Sequence, residues 1–285
     1  MRYLDDGNQT IKTYFANLVE KEDELREGET PFDLQGEFLR DNIVQLVSSP
    51  DKSEIFWLTE TLRDASGTIS NPDGSNARAV FSSPFTEWLP QWYSSGAINM
   101  TTKASGYTAG YSYNTPIATG TLNRTVGDIT GLTTLTSPNG SYVLYSEGGK
   151  SGVETYVFNT ETGESDRLFL RTLSEKCAWA DNTTAYCGVP EALESGVYPD
   201  VWYQGKTLFT DTIFEIDAGA GNARQIYSPI ETDSEAIDIY KPFVSESGDY
   251  LIFNDKGNMS LWAFTLSNPD ENPFRGNVIP NDAGL

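Results

Sequence analysis

The chain has 285 residues, 38% of them hydrophobic and 12% aromatic, enough for one large β domain or two smaller ones with packed cores. Nineteen basic against 41 acidic residues leave a net charge of −22, which opposes nucleic-acid backbones and anionic lipid and suits solubility, cations or basic partners. There is no histidine, so Ser–His and Cys–His nucleophile pairs, His-ligated zinc and imidazole proton shuttles are excluded, while carboxylate chemistry is not.

The chain opens on strand-like residues, Met1-Arg2-Tyr3-Leu4, without a basic, apolar and small-residue leader. No apolar run approaches the roughly 18 residues that span a bilayer, so no transmembrane segment is expected in this chain. The expectation is a fragment whose export signal or anchor lies upstream. Arg2-Tyr3-Leu4 and Ile11-Lys12-Thr13-Tyr14-Phe15 read as middle strands around the turn Asp5-Asp6-Gly7-Asn8, the outer part of a repeat with no inner strand before it. The charge run Glu20–Glu29 reads as a solvated loop.

A polar turn followed by an apolar β-rich strand then recurs. Ser49-Pro50-Asp51-Lys52 leads into Ile55-Phe56-Trp57, Ser137-Pro138-Asn139-Gly140 into Tyr142-Val143-Leu144-Tyr145, and Ser245-Glu246-Ser247-Gly248 into Tyr250-Leu251-Ile252-Phe253. Trp179-Ala180-Asp181-Asn182-Thr183-Thr184 fits the same template. From 139 to 182 is 43 residues and from 51 to 139 is 88, twice 44, so a hidden turn is expected near Ser95. From 182 to 248 is 66, one period plus about 23 residues, which predicts an insertion over 189–211, where Pro190, Gly196, Pro199 and Gly205 punctuate a loop. A period of about 40–45 residues with about four strands per unit is the signature of propeller blades. We count five full units plus a partial first one, over 1–266. The tail 267–285, with Pro269, Pro273 and Pro280, reads as irregular surface chain.

Cys177 and Cys187 flank the turn at Asp181-Asn182-Thr183. If Ala180 and Thr184 close that loop, the two cysteines face each other and a cross-strand disulfide is geometrically allowed, implying an oxidising, extracytoplasmic location. The alternative is two buried free thiols acting as small hydrophobes.

Candidate chemistry is sparse. Trp57, Trp179 and Trp262 sit in the repeated strand pattern and read as core, as do Trp88 and Trp92. Tyr198, Trp202 and Tyr203 lie in the insertion and are the candidate partner-binding aromatic patch, because insertions on a repeat scaffold often form its binding face. Calcium ligands are conceivable in Asp5-Asp6-Gly7-Asn8 and Asn71-Pro72-Asp73-Gly74-Ser75-Asn76, but neither has the order of an EF-hand, and Asp-Gly pairs mark ordinary turns. Glu215 with Asp217 and Asp233 with Glu235 are carboxylate pairs of the kind glycoside cleavage uses, at spacings that arise by chance in so acidic a chain. No phosphate loop, Gly-x-Ser-x-Gly elbow or dinucleotide fingerprint is present, and no cofactor is expected.

The Ser-Pro-x-Gly turn before an apolar strand resembles the WD-repeat-like unit of TolB-like and peptidase-associated β-propellers. Ser137-Pro138-Asn139-Gly140 matches best; Ser49-Pro50-Asp51-Lys52 lacks the glycine and Ser245-Glu246-Ser247-Gly248 the proline. Phe81–Trp92, Lys176-Cys177-Ala178-Trp179 and Tyr198–Gly205 look like segments of uncharacterised extracytoplasmic propellers of candidate-phyla bacteria. The resemblance implies an all-β propeller of about six four-stranded blades at the cell envelope and supplies no catalytic residue. The expected role is a non-catalytic scaffold binding a protein or peptide partner. The alternatives are a carbohydrate-binding or glycoside-cleaving propeller and a structural fragment of a longer surface protein.

Overall fold

The computed structural model describes residues 1–5, 7, 9–21, 31–229 and 236–266. Their strands form six sheets, each a meander in chain order. The first holds β1 (Arg2–Leu4), β2 (Ile11–Glu20) and β3 (Phe32–Phe38). The second holds β4 (Ile43–Ser48), β5 (Ile55–Glu60), β6 (Ala65–Ser70) and β7 (Arg78–Ser83). The third holds β8 (Trp88–Ser94), β9 (Ala97–Thr102), β10 (Ala109–Pro116) and β11 (Asn123–Thr130). The fourth holds β12 (Thr133–Thr136), β13 (Tyr142–Gly149), β14 (Gly152–Asn159) and β15 (Ser165–Arg167). The fifth holds β16 (Cys177–Trp179), β17 (Thr184–Pro190), β18 (Asp211–Asp217) and β19 (Asn222–Tyr227), and the sixth β20 (Ile239–Val244), β21 (Tyr250–Asp255) and β22 (Leu261–Thr265). This is an all-β, six-bladed propeller fold with four-stranded blades, the first and last being three-stranded.

The expected count of five full units and one partial is corrected to four full units and two three-stranded ones among the described residues. The described chain stops at 266, just after β22. Only residues 39–42 join β3 to β4, too few to recross a sheet, so β3 ends where β4 begins. That is how the last strand of one blade meets the first strand of the next, and it gives β1–β3 the outer three positions. The Glu20–Glu29 run from residue 22 onward, Asp6, Asn8, Asp233, Glu235 and the tail 267–285 lie outside the described residues.

The repeated turn has one geometry. Ser49, Ser137 and Ser245 each accept, at their hydroxyl, the N–H of the residue five ahead, Glu54, Tyr142 and Tyr250, at 3.0, 3.0 and 3.1 Å. Their carbonyls take the N–H of Lys52, Gly140 and Gly248 at 2.9, 2.8 and 2.8 Å. Those fourth residues are left-handed, with φ of 60°, 77° and 77°, which is why glycine is favoured there. The β8–β9 turn falls at Ser95-Gly96, where the period places it.

The described residues divide into two compact units, one of 1–100 with 115–122 and the other of 101–114 with 123–266. In the first, Leu39, Ile43, Ile55 and Trp57 pack with Phe15 and Leu46. In the second, Leu144, Val157, Ala185, Cys187 and Ile216 form the core between the fourth and fifth blades. Ala178, Ile213, Ile239, Leu251, Phe253 and Trp262 form the core between the fifth and sixth. Strand β14 alternates half-buried and buried residues, the period-2 pattern of a strand packed on one face. Among the described residues no helix is long and apolar enough to cross a membrane.

Candidate functional site

The departure from the repeat lies in the second unit. Residues 191–210 join β17 to β18, the place and nearly the bounds that the period indicates. In an antiparallel meander the connection from second to third strand and the one leaving the fourth strand lie at the same end. The insertion therefore shares an end with the β9–β10 connection, the β13–β14 turn and the β15–β16 connection, which carries a short 3-10 turn, Ser174–Lys176. A single helical turn, α1 (Asp200–Tyr203), crosses the insertion.

Tyr198 and Trp202 are each 1% exposed. The expected aromatic contact patch is corrected at these two positions: their rings form a core of their own with Val153, Leu173 and Phe209, so they seat the insertion and offer a partner no surface. The Trp202 ring lies against Phe209 and edge-on to Tyr240. Tyr203 is half-buried and donates its hydroxyl to Glu175 at 2.6 Å. Burial pushes the Glu175 carboxyl up, partly offset by that hydrogen bond. Burial, then the Glu175 charge, pushes the Tyr203 phenol well above its ordinary value.

Beneath the aromatic core lies a buried ion network. The Lys176 ammonium, fully buried, contacts Asp211 Oδ2 at 2.7 Å, Asp238 Oδ1, and the Ile239 carbonyl at 2.9 Å. It also sits 5.0 Å from the ring centres of both Trp202 and Phe209, so its charge meets two π faces as well as two carboxylates. Asp238 accepts the Trp202 indole N–H at 3.2 and 3.0 Å and the Phe209 amide at 3.1 Å. Asp211 Oδ2 takes the Ile239 amide at 2.6 Å, while its Oδ1 has no partner. Burial drives the Asp211 carboxyl up to about 6, against the pull of Lys176 and with the push of Asp238. Lys256 donates to the Trp202 carbonyl at 2.6 Å from 4.8 Å above its ring, and burial lowers its ammonium. Three buried charges, two negative and one positive, thus join the insertion to the fifth and sixth blades.

Glycines let the neighbouring loops close on the insertion. A Cβ on Gly106 would stand 2.4 Å, and one on Gly148 2.6 Å, from the Tyr198 carbonyl oxygen. Asp200 completes the joint, accepting from Ser105 Oγ at 3.0 Å and the Gly106 amide at 2.6 Å. On this same end Tyr107 is 68% exposed and Leu208 54%.

Cys177 and Cys187 pair directly across β16 and β17 and form a disulfide, as the hairpin spacing predicts. The Ala180 amide closes that loop on the Thr184 carbonyl at 2.9 Å. Trp57, Trp88, Trp92 and Trp262 are buried, and Trp179 is half-buried against the core. The other candidates are engaged locally. Asp73 accepts the Ser75 amide and hydroxyl at 2.9 and 2.6 Å. Glu215 is held by Arg224, at 3.3 and 3.2 Å, and Asp217 caps the Ala220 amide at 2.9 Å. Among the described residues no group of three or more acidic or cysteine side chains is arranged to hold a metal.

No protein-family model matches the chain, and no curated protein matches it in sequence. Solved structures match it in fold. TolB from Acinetobacter baumannii superposes with a TM-score of 0.53 at 13% identity over 90% of this chain and 62% of that one. The uncharacterised protein lmo1340 from Listeria monocytogenes gives 0.50 at 11% identity over 78% and 62%. The acylaminoacyl peptidase of Pyrococcus horikoshii gives 0.56 at 10% identity over 93% and 45%. The chain thus spans 62% of the length of the first two proteins and has the TolB-like β-propeller fold. Enzymes and proteins of other kinds share that fold, so it assigns no activity.

Proposed function

We propose that the chain is a non-catalytic scaffold of the cell envelope that holds a protein or peptide partner on the end of the second unit carrying the insertion. One observation carries this reading. The insertion is seated by a fully buried ion network and by backbone-close glycines, while Tyr107 and Leu208 stand exposed on the same end. A rigid platform with exposed aromatic and aliphatic side chains is what partner anchoring requires, since ordering is complete before binding. The disulfide and the TolB-like fold support an extracytoplasmic setting.

The test is a cross-linked pull-down from native envelope extract with the parent chain and a Tyr107→Ala, Leu208→Ala variant of equal thermal stability. The expected result is a protein retained by the parent, lost by the variant, and rebound by the purified parent. Equal recovery by both would remove this end as the contact surface. Capture of glycan would favour the carbohydrate reading. Capture of nothing would favour the structural-fragment reading.

A further inference from the structure

Two buried carboxylates share one buried ammonium in the insertion network, and their remaining contacts differ. Asp238 is filled on both oxygens, by Lys176 and the Trp202 indole on one and by the indole and the Phe209 amide on the other. Asp211 is filled on one only. Its Oδ2 meets two donors, Lys176 and the Ile239 amide, and its buried Oδ1 meets none. A proton added to the network therefore has one place where it displaces no hydrogen bond, Asp211 Oδ1. Within the fully buried trio two negative charges face one positive, Lys256 adding its charge only from the half-buried edge beside Asp238, and an uncompensated buried charge is costly.

We propose that Asp211 is the proton-dependent latch of the insertion: neutral, it leaves Lys176 and Asp238 as a balanced buried pair, and charged, it leaves the fully buried trio with an excess negative charge. The groups facing it are few. Lys176 faces it from the 3-10 turn and Asp238 from the residue before β20. From β17 Pro190 pairs with it in register, and Gly188 comes so close that a Cβ there would stand 3.0 Å from Asp211 Oδ2. Lys256 on the β21–β22 turn reaches the Trp202 carbonyl, Asp255 is engaged with the Asp238 and Gly257 amides, and Glu191 takes the hydroxyl of Thr212, the residue beside Asp211. The upward push on the Asp211 carboxyl to about 6 puts the change at mildly acidic pH.

The sign follows from linkage. A carboxyl raised in the folded state binds its proton more tightly there than when the insertion is detached. The joint is tightest in mild acid and loosens as pH rises through about 6. Its consequence for partner capture rests on reading this end as the contact surface, but its titration does not, so the two stand or fall separately.

Two measurements test the latch on the intact chain. Carbon-13 NMR of aspartate-labelled protein, with Asp211 assigned through its backbone, should show that carboxyl titrating near 6, apart from Asp181, whose carboxyl lies below the ordinary value. Titration of Asp211 among the surface aspartates below about 4 would overturn the proposal. Hydrogen exchange of residues 191–210, corrected for intrinsic rates, should then be about fourfold more protected at about pH 5.5 than at about pH 7.5. In Asp211→Asn that difference should shrink to the share contributed by Glu175, whose raised carboxyl takes the Tyr203 hydroxyl, and in an Asp211→Asn, Glu175→Gln double variant it should vanish. Equal protection of the parent at both pH values would also overturn it.

Discussion

Trp202 donates its indole N–H to Asp238, 3.2 Å from one carboxylate oxygen and 3.0 Å from the other, with both residues buried. The bond ties the insertion's largest side chain to the residue before β20. Trp202→Phe should keep most of the apolar packing and remove the donor, costing about 1.5–3 kcal/mol, the range for a hydrogen bond to a charged group. Trp202→Ala should cost more, about 3–5 kcal/mol, since it also opens a cavity beside Phe209 and Tyr240. Urea denaturation of the three proteins checks both values. A Phe variant as stable as the parent would mean that Lys176 and the Phe209 amide suffice for Asp238.

The carboxylates of this chain pull stability in opposite directions with pH. The Ser49 hydroxyl, with Ser53, holds Asp51 below its ordinary value, and Ser75 does the same for Asp73. Burial raises Asp181, but the amides of Thr183 and Thr184 lower it by more. These three contribute stability above the ordinary carboxyl value of 3.8, and it is lost as pH falls through their folded values. Asp211 does the reverse: its contribution is complete below 3.8 and is lost as pH rises through about 6. The thermal midpoint should therefore be higher near pH 5 than near pH 7.5 and fall again in stronger acid. Self-repulsion of the −22 chain acts in the same direction above pH 5. Scanning in about 1 M salt, where the Debye length is about 3 Å, should suppress that surface share and leave the buried one. A flat midpoint over that range in high salt would show that Asp211 stays charged or finds another donor.

Much of the fold was legible because blades repeat a local rule. A serine hydroxyl that caps an amide five residues on, and a left-handed fourth residue, leave a sequence trace at Ser49, Ser137 and Ser245. The spacing of those traces and of the Asp181-Asn182 turn located the hidden turn at Ser95-Gly96 and the insertion. The disulfide was legible for the same reason, since register across one short turn sets Cys177 opposite Cys187. The site was not. Lys176, Asp211 and Asp238 meet across separations of 35, 62 and 27 residues with no local pattern, and in a chain with 41 acids two particular aspartates carry no signal. Trp202 and Tyr198 were misplaced because aromatic residues in a loop carry the same pattern whether they face a partner or anchor the loop itself. What decided between these was the ion network beneath them.

The Cys177–Cys187 bond closes a loop of ten residues at the core between the fourth and fifth blades. Loop-closure entropy gives it about 3 kcal/mol. Reduction without denaturant should lower the unfolding free energy obtained from urea denaturation by that amount, moving the midpoint down while leaving the slope of unfolding nearly unchanged, because the surface exposed on unfolding is the same. The paired Cys177→Ala, Cys187→Ala variant should match the reduced parent, less a small packing loss at two buried positions. An unchanged midpoint on verified reduction would mean that the hairpin is already ordered in the unfolded chain.

Gly148 bears on the insertion from the side. A methyl group there would lie 2.6 Å from the Tyr198 carbonyl oxygen and 3.0 Å from its carbon, and backbone atoms have little room to give. Gly148→Ala should push the insertion off the β13–β14 turn and stretch the Tyr198 amide bond to the Gly149 carbonyl, now 3.2 Å. The expected cost is about 1–3 kcal/mol, typical of overpacking. Gly163, with nothing within 4 Å of a built Cβ but a φ of 75°, supplies the control: Gly163→Ala should cost about 1 kcal/mol through its left-handed backbone alone and leave the insertion in place. Hydrogen exchange separates the two mechanisms. Faster exchange at 191–210 is expected in Gly148→Ala and not in Gly163→Ala. The same slow exchange in both would show that the ion network holds the insertion without help from the neighbouring loop.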